Sequence, residues 1–527
     1  MKKNKWLIYS LALCCAISAA GCGEKKEEAT SGGNMDVEFP LSEQVELTYW
    51  SPLDSSVSAV SYGETTLYKK MEELTNVKMK FMHPARGQEQ EQLNILIASN
   101  ELPDIMEGSW ATFPGGPIKA LNDKIIVSLN DYMDKYAPNL KSILAANETF
   151  DKLVKTDDSR YYCFPFLRED DILCVYGGPV IRKDWLDELG LEAPETIEEW
   201  ENVLTQFKEK KGATAPFTFD MNKMLRYKAF IGAFGVTASC HQEDGKIVYG
   251  PIQPGYKEFL ATMNRWYEKG LIDPDFATLD TKTIDAKMTN GKAGATVGAS
   301  GGSLGKYLQA MANENPTYDL MGVVYPTVNK GEIAKFGQRD LPFNDYGSAS
   351  VTYSSKNKEI AIKWLDYAYS PEGSMLFNFG VEGESYTMEN GYPTYTEDIT
   401  KNPKGLSMSA ALADYTRVSY NGPFVQDKRY IDQFYQLQQS KDAMNAWTKT
   451  EDAKYAVGTM MYTSEESAKM SKVMSEINTF VEEMRLKFIM GIESLDNFDK
   501  YVDQLKQLGV DEYISIQQAA YDRYKNR

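Results

Sequence analysis

Histidine is almost missing from this chain of 527 residues: only His83 and His241 occur. Two imidazoles leave a Ser/His/Asp triad or a His-based zinc site almost no material. Cysteine is scarce too. Of six, three precede residue 23, and the body keeps Cys163, Cys174 and Cys240, an odd remainder that makes no disulfide framework. Cys163 and Cys174 are free to pair or to stay as buried thiols. No GxxxxGK[ST] loop occurs, which excludes an ATPase subunit. Asp273-Pro-Asp275 begins like a calcium loop. Its sixth position is Thr278 and its twelfth Ile284, where an EF-hand needs Gly and Glu. No metal and no cofactor is therefore expected. Positive charge is short as well, with 57 basic against 75 acidic residues and a net charge of −18. Such a body repels nucleic acid and anionic lipid, so neither is expected as a partner. After residue 22 no apolar run is long enough to cross a membrane.

What is present begins at the N-terminus. Lys2, Lys3 and Lys5 precede a mostly apolar stretch from Trp6 to Ala20, and Ala19-Ala20-Gly21 leads to Cys22. A basic start, an apolar segment and a small-residue exit predict a secretory signal over residues 1–21. The Ala-Gly-Cys ending resembles a bacterial lipobox, which implies cleavage before Cys22 and acylation of its thiol. Acyl chains would then hold the body on the outer face of the cell membrane. Removing residues 1–21 takes away three lysines and no acids, leaving −21. Residues 22–44 are rich in Glu, Lys, Ser and Gly without periodicity and read as a flexible tether.

The body is too long for one core, so two lobes are expected. Val45, Leu47 and Tyr49 alternate with polar residues, as do Val77, Met79 and Phe81, and Thr65–Thr75 between them suits a helix. This β-α-β opening predicts an α/β fold with parallel strands. Thr196 and Glu199 form a capping-box pattern ahead of an apolar face of Ile197, Trp200, Val203, Leu204 and Phe207, with Gly212 as a stop. Trp185 and Trp200 are read as core. A hairpin is expected around Asp244-Gly245, followed by a helix bearing Phe259, Met263 and Trp266. Helical stripes Ile477–Phe488 and Phe498–Leu505 follow near the end. Aromatics are plentiful, with 33 Tyr, 22 Phe and 8 Trp. Most belong to the core, and the excess suits a ligand that binds by stacking.

Five stretches together resemble one family: LNILIASNELPDIME (93–107), Ile181–Lys210, Phe234–Phe276, NGKAGATVG (290–298) and SPEGSMLFNFGVEGESYT (370–387). They are similar to the extracellular solute-binding lipoproteins of ABC importers, in the large branch that serves oligosaccharide and polysaccharide uptake. The resemblance runs from Val45 to the C-terminus. It implies a two-lobed periplasmic-binding-protein-like fold of type II with a helical C-terminal region. Crossings are expected near Arg168–Leu173, Val323–Pro326 and Ser370–Gly373. The first lobe would be residues 45–168 plus 326–370, and the second 169–325 plus 373–527. It also implies a lipid-anchored monomer that captures an oligosaccharide and delivers it to a membrane permease, with no catalytic residue.

Ligands of open α/β sheets sit beyond the carboxyl ends of the strands. That selects Trp50, Ser51 and Asp54 after the first strand, and Glu107, Trp110 and Phe113 after the PDIME strand. Trp50 and Trp110 are assigned to the site because each begins a Gly/Ser/Pro-rich loop. The first crossing adds Arg168, Glu169 and Tyr176. The loop RDLPFNDYG adds Arg339, Asp340 and Tyr346, and the turn GVEGESY adds Glu384 and Tyr386. The family often carries an aromatic at the cleft after residue 298, where this chain has Ser300-Gly301-Gly302, which implies a roomier or differently shaped site. Trp447 is a weaker candidate, and Trp364 is read as core. Two alternatives stay open: a secreted glycoside hydrolase, which needs two opposed carboxylates about 5–10 Å apart, and a receptor for peptides or a cofactor.

Overall fold

The computed structural model describes residues 36–417 and 421–527. The signal segment, Cys22 and the first part of the tether lie outside the described residues. In chain order the strands are β1 (Val45–Trp50), β2 (Val77–Met82), β3 (Ile105–Glu107), β4 (Phe164–Arg168), β5 (Gly177–Arg182), β6 (Cys240–Glu243) and β7 (Lys246–Tyr249). They continue with β8 (Ala295–Ala299), β9 (Leu320–Gly322), β10 (Phe343–Val351), β11 (Tyr386–Glu389), β12 (Tyr392–Tyr395) and β13 (Val425–Gln426).

Alternation decides which way β1 faces. Leu47 and Tyr49 are fully buried while Glu46 points to solvent, the period-two pattern of a half-buried strand. Its parallel partner β2 follows the helix Thr66–Thr75, which stops at Asn76 in the left-handed region at φ 55°. The first lobe's sheet runs β13-β4-β10-β3-β1-β2. β1, β2 and β3 are parallel, whereas β10 returns antiparallel between β3 and β4.

The second lobe is built on a three-stranded antiparallel sheet, β8-β5-β9. Every residue of β5 is buried, so this strand is covered on both faces. One cover is the helix Gln438–Trp447. It approaches so closely that a Cβ at Gly178 would stand 2.5 Å from the Trp447 ring, and one at Gly322 would stand 2.4 Å from Ala443. Glycine is required at both positions for that contact. The capping box at Thr196 and Glu199 forms, the five apolar residues of the helix Ile197–Lys211 are all buried, and Gly212 ends it at φ 68°. Trp185 and Trp200 are core, and β6 and β7 make the hairpin around Asp244-Gly245.

Two separate hydrophobic cores result, one gathering Leu47, Ile105, Phe164 and Trp364, the other Val180, Trp200, Phe217 and Trp266. The chain passes between them after β4, before β10 and in the helix Pro371–Phe379, whose Phe377 packs in the first core and Phe379 in the second. It also passes back. β13 pairs in parallel with β4, so residues 425–426 add a strand to the first lobe's sheet, although the expected boundary assigns 373–527 to the second. β4 had an open edge, and its unpaired backbone groups accept the strand. The helix Val510–Lys525 likewise ends against the first lobe, where Arg523 meets Asp157 at 3.2 Å. Cys163, Cys174 and Cys240 are free thiols. Burial pushes the Cys174 thiol up to about 11, which keeps it protonated and unreactive.

Candidate ligand-binding cleft

The loop that follows β1 forms one wall. His83 pins it: Nδ1 lies 2.7 Å from the Ser51 carbonyl, and the Tyr62 N–H reaches Nε2 at 3.2 Å. A neutral ring with its proton on Nδ1 satisfies both bonds, and burial holds the His83 pKa below its usual value. Opposite this loop, Glu107 ends β3. Tyr49 Oη donates to Glu107 Oε2 at 2.9 Å, and Arg417 Nη2 donates to Oε1 at 2.7 Å. Arg417 is as buried as its partner. Its Nη1 donates to Tyr68 Oη at 3.0 Å, its Nε donates to the Asn421 carbonyl at 2.7 Å, and the Tyr62 ring lies 4.4 Å beneath its guanidinium. A buried ion pair stands only when its remaining donors are also satisfied, and the bonds to Tyr68 and to the Asn421 carbonyl do that here.

Glu107, Arg417, Tyr62 and Asn421 line a cavity of about 290 Å³, together with Asp54, Arg86, Glu89 and Tyr346. A second cavity of about 190 Å³ opens at the crossing, where Phe166 and Arg168 of the first lobe face Tyr176, Tyr435 and Met444 of the second. Asn421 lines both, so the two cavities adjoin at this residue. The resulting groove runs from the carboxyl ends of β1 and β3 to the hinge, the position open α/β sheets give to ligands.

Five of the expected residues line this groove: Asp54, Glu107, Tyr346, Arg168 and Tyr176. Asp340 and Arg339 stand behind it. Arg168 contacts Asp340 at 3.5 Å and donates to the Leu341 carbonyl at 2.8 Å, while Arg339 pairs with Asp171. Glu169 accepts from the Lys428 N–H at 2.8 Å, and burial pushes its pKa up. Trp50 and Trp110, expected as stacking faces, are core side chains instead, 4% and 2% exposed. The loop after Trp50 does reach the groove through residues 52–55, but both indoles turn inward. Ser51 is fully buried and contributes its carbonyl to His83. Phe113 packs edge-on against Trp110 at 5.8 Å. Tyr386 belongs to the second core, beside Phe379, and Glu384 is exposed on a turn away from both cavities. Trp447 is fully buried.

Arg417, Asn421, Tyr62 and Arg86 were not expected. Arg417 is the most consequential, and it reaches Glu107 from 310 positions away in sequence. Only its setting in a Tyr/Asn/Gly/Pro-rich stretch, TRVSYNGPF, hinted at a loop with work to do. Asp345 was also missed. It accepts from Ser109 Oγ at 2.5 Å, the Ala111 N–H at 2.9 Å and Tyr162 Oη at 2.7 Å, and so anchors the loop after β3. Away from the cleft, the aborted calcium loop holds an ammonium: Lys287 Nζ lies 2.8 Å from both oxygens of Asp273 and 3.2 Å from Asp275.

Comparison with known proteins agrees with this architecture. The chain is 25% identical over 540 residues to the fructooligosaccharide ABC transporter substrate-binding protein FusA of Streptococcus pneumoniae, covering 96% of each chain. It is 23% identical to the polygalacturonan/rhamnogalacturonan-binding protein YtcQ of Bacillus subtilis, over 99% of this chain and 100% of that one. An HMO-binding ABC-transporter-associated solute-binding protein of Bifidobacterium longum infantis has the same fold, with a TM-score of 0.75 at 19% identity, over 91% of this chain and 99% of that one. The profile of the bacterial extracellular solute-binding proteins matches residues 61–375. This chain belongs to the family of bacterial extracellular solute-binding proteins.

Proposed function

We propose that this protein is the capture subunit of a carbohydrate ABC importer. Acylated at Cys22 and tethered through residues 22–44, it stands on the outer face of the cell membrane as a monomer. It closes its two lobes, 45–168 plus 326–370 with the added strand 425–426, and the rest of 169–325 plus 373–527, around an oligosaccharide. It then passes the sugar to membrane permease subunits without making or breaking a bond. The observation that carries this reading is the groove joined at Asn421, walled by one core on each side. A ligand bridging both walls shifts the hinge equilibrium because it gains its full contacts only when the lobes are closed. The lining suits sugars. Carboxylates and amides bind hydroxyls, and the half-exposed Tyr346 offers a face to a pyranose or furanose ring. The relatives, a fructooligosaccharide-binding and a polygalacturonan/rhamnogalacturonan-binding protein, support carbohydrate as the ligand class.

A glycosidase reading is disfavoured at Glu107. Both its oxygens already accept, from Tyr49 and Arg417, which leaves it placed to hold a hydroxyl and poorly placed to deliver a proton. Calorimetric titration of the purified protein with fructo-, malto- and xylooligosaccharides tests the proposal. At least one is expected to bind without appearance of new reducing ends. Tyr346→Ala should then weaken that binding by about 1–3 kcal/mol, the worth of a stacking face, at unchanged thermal stability. Turnover of the sugar, or full affinity in the variant, would contradict the assignment.

A further inference from the structure

The family takes in binders of neutral and of uronate polymers, so the charge of this protein's ligand is a separate question. We propose that the cleft selects uncharged oligosaccharides and rejects uronate-bearing ones; the inference rests on the carbohydrate reading above. It is carried by how the cations around the groove are occupied.

Arg417 gives Nη2 to Glu107 at 2.7 Å, Nη1 to Tyr68 at 3.0 Å and Nε to the Asn421 carbonyl at 2.7 Å, and its aromatic neighbour Tyr62 covers one face. Such a guanidinium has almost nothing left to offer a carboxylate, and its charge is already balanced. The same holds at the hinge. Arg168 is matched by Asp340 at 3.5 Å, Arg339 by Asp171, Lys428 by Asp170 at 2.8 Å, and Arg429 by Asp427 at 2.8 Å. The acidic residues of the first crossing, of the loop before β10 and of the segment after β13 thus neutralise the basic ones, pair by pair.

What remains in the larger cavity is an excess of acid. It carries Asp54, Glu89 and Glu107 against Arg86 and Arg417, one negative charge net, while the smaller cavity adds Arg168, which Asp340 matches from outside the lining. Among the described residues lining the groove, Arg86 is the one cation with no ion pair, and it is exposed beside Glu89 at the mouth. A uronate carboxylate entering here would give up its hydration, face like charge and find no unpaired buried cation. A neutral sugar meets the opposite case. Its hydroxyls donate to Asp54 and to the spare lone pairs of Glu107. The net charge of −21 that remains without residues 1–21 lowers the local concentration of polyanions further.

The test is calorimetric titration of the purified protein with two length-matched sets. One holds fructo-, malto-, galacto- and xylooligosaccharides, and the other oligogalacturonates and alginate oligosaccharides. The best neutral sugar is expected to bind at least roughly ten-fold more tightly than any uronate. Asp54→Asn, which lowers the cavity's negative charge, should narrow that gap. An oligouronate that binds as tightly as the best neutral sugar would overturn the inference while leaving the carbohydrate reading intact. Binding by neither set would overturn the carbohydrate reading, and the inference with it.

Discussion

Arg417→Ala is expected to cost about 3–5 kcal/mol of folding stability, because it strands the Glu107 carboxylate in the first core. The penalty follows from burial. Both side chains of the pair are nearly inaccessible, 2% and 4% exposed, so water has no route to replace the lost guanidinium. Three further partners lose their bond in the same step: Tyr68 Oη, the Asn421 carbonyl and the stacked Tyr62 ring. Urea unfolding followed by circular dichroism measures the effect as a fall in midpoint at constant slope. The double variant Arg417→Met with Glu107→Gln should recover part of the loss, since removing both charges removes the uncompensated one. A single-variant cost under about 1 kcal/mol would mean that the pair is hydrated and Glu107 is not held as described. Sugar affinity should fall as well, because the same guanidinium fixes Asn421 where the two cavities meet.

Trp447→Ala is expected to cost about 3–5 kcal/mol as a large-to-small core substitution. The indole is fully buried, fills the space above Gly178 and Gly322, and donates Nε1 to the Pro179 carbonyl at 3.3 Å. Collapse around the cavity is blocked, since β5 and β9 lie flat against the helix only because those glycines have no side chain. Thermal unfolding with two probes, far-ultraviolet dichroism and tryptophan fluorescence, reads the loss. The affinity of the molecules that remain folded should be unchanged. A variant as stable as the parent, with sugar binding abolished, would return Trp447 to the binding site.

Much of the architecture was legible before the structure. The β1–helix–β2 opening, the capped helix Ile197–Lys211 and the β6–β7 hairpin each follow from local rules: alternation, capping and a two-residue turn. The site was legible only where a backbone rule points to it. Asp54 and Glu107 were found because they follow strands, and Arg168 and Tyr176 because the chain crosses there. The failures have one cause. A loop's position does not fix the direction of its side chains, so Trp50 begins a loop that lines the groove and still turns into the core, as Trp110 does. A large indole gains more from full burial than from a wet cleft. Arg417 and Asn421 were invisible for a different reason. They arrive by a long-range return of the chain, the one that also brings β13 to the open edge of β4, and no local pattern encodes which segment closes a distant pocket.

The central claim is that a sugar sits between the two lobes and draws them together. Small-angle X-ray scattering of the purified protein, alone and saturated with the tightest-binding neutral oligosaccharide, addresses it directly. A smaller radius of gyration in the saturated sample is expected, as a hinge closing on its ligand requires. An unchanged radius at full occupancy would contradict the account and move the binding site off the interlobe groove.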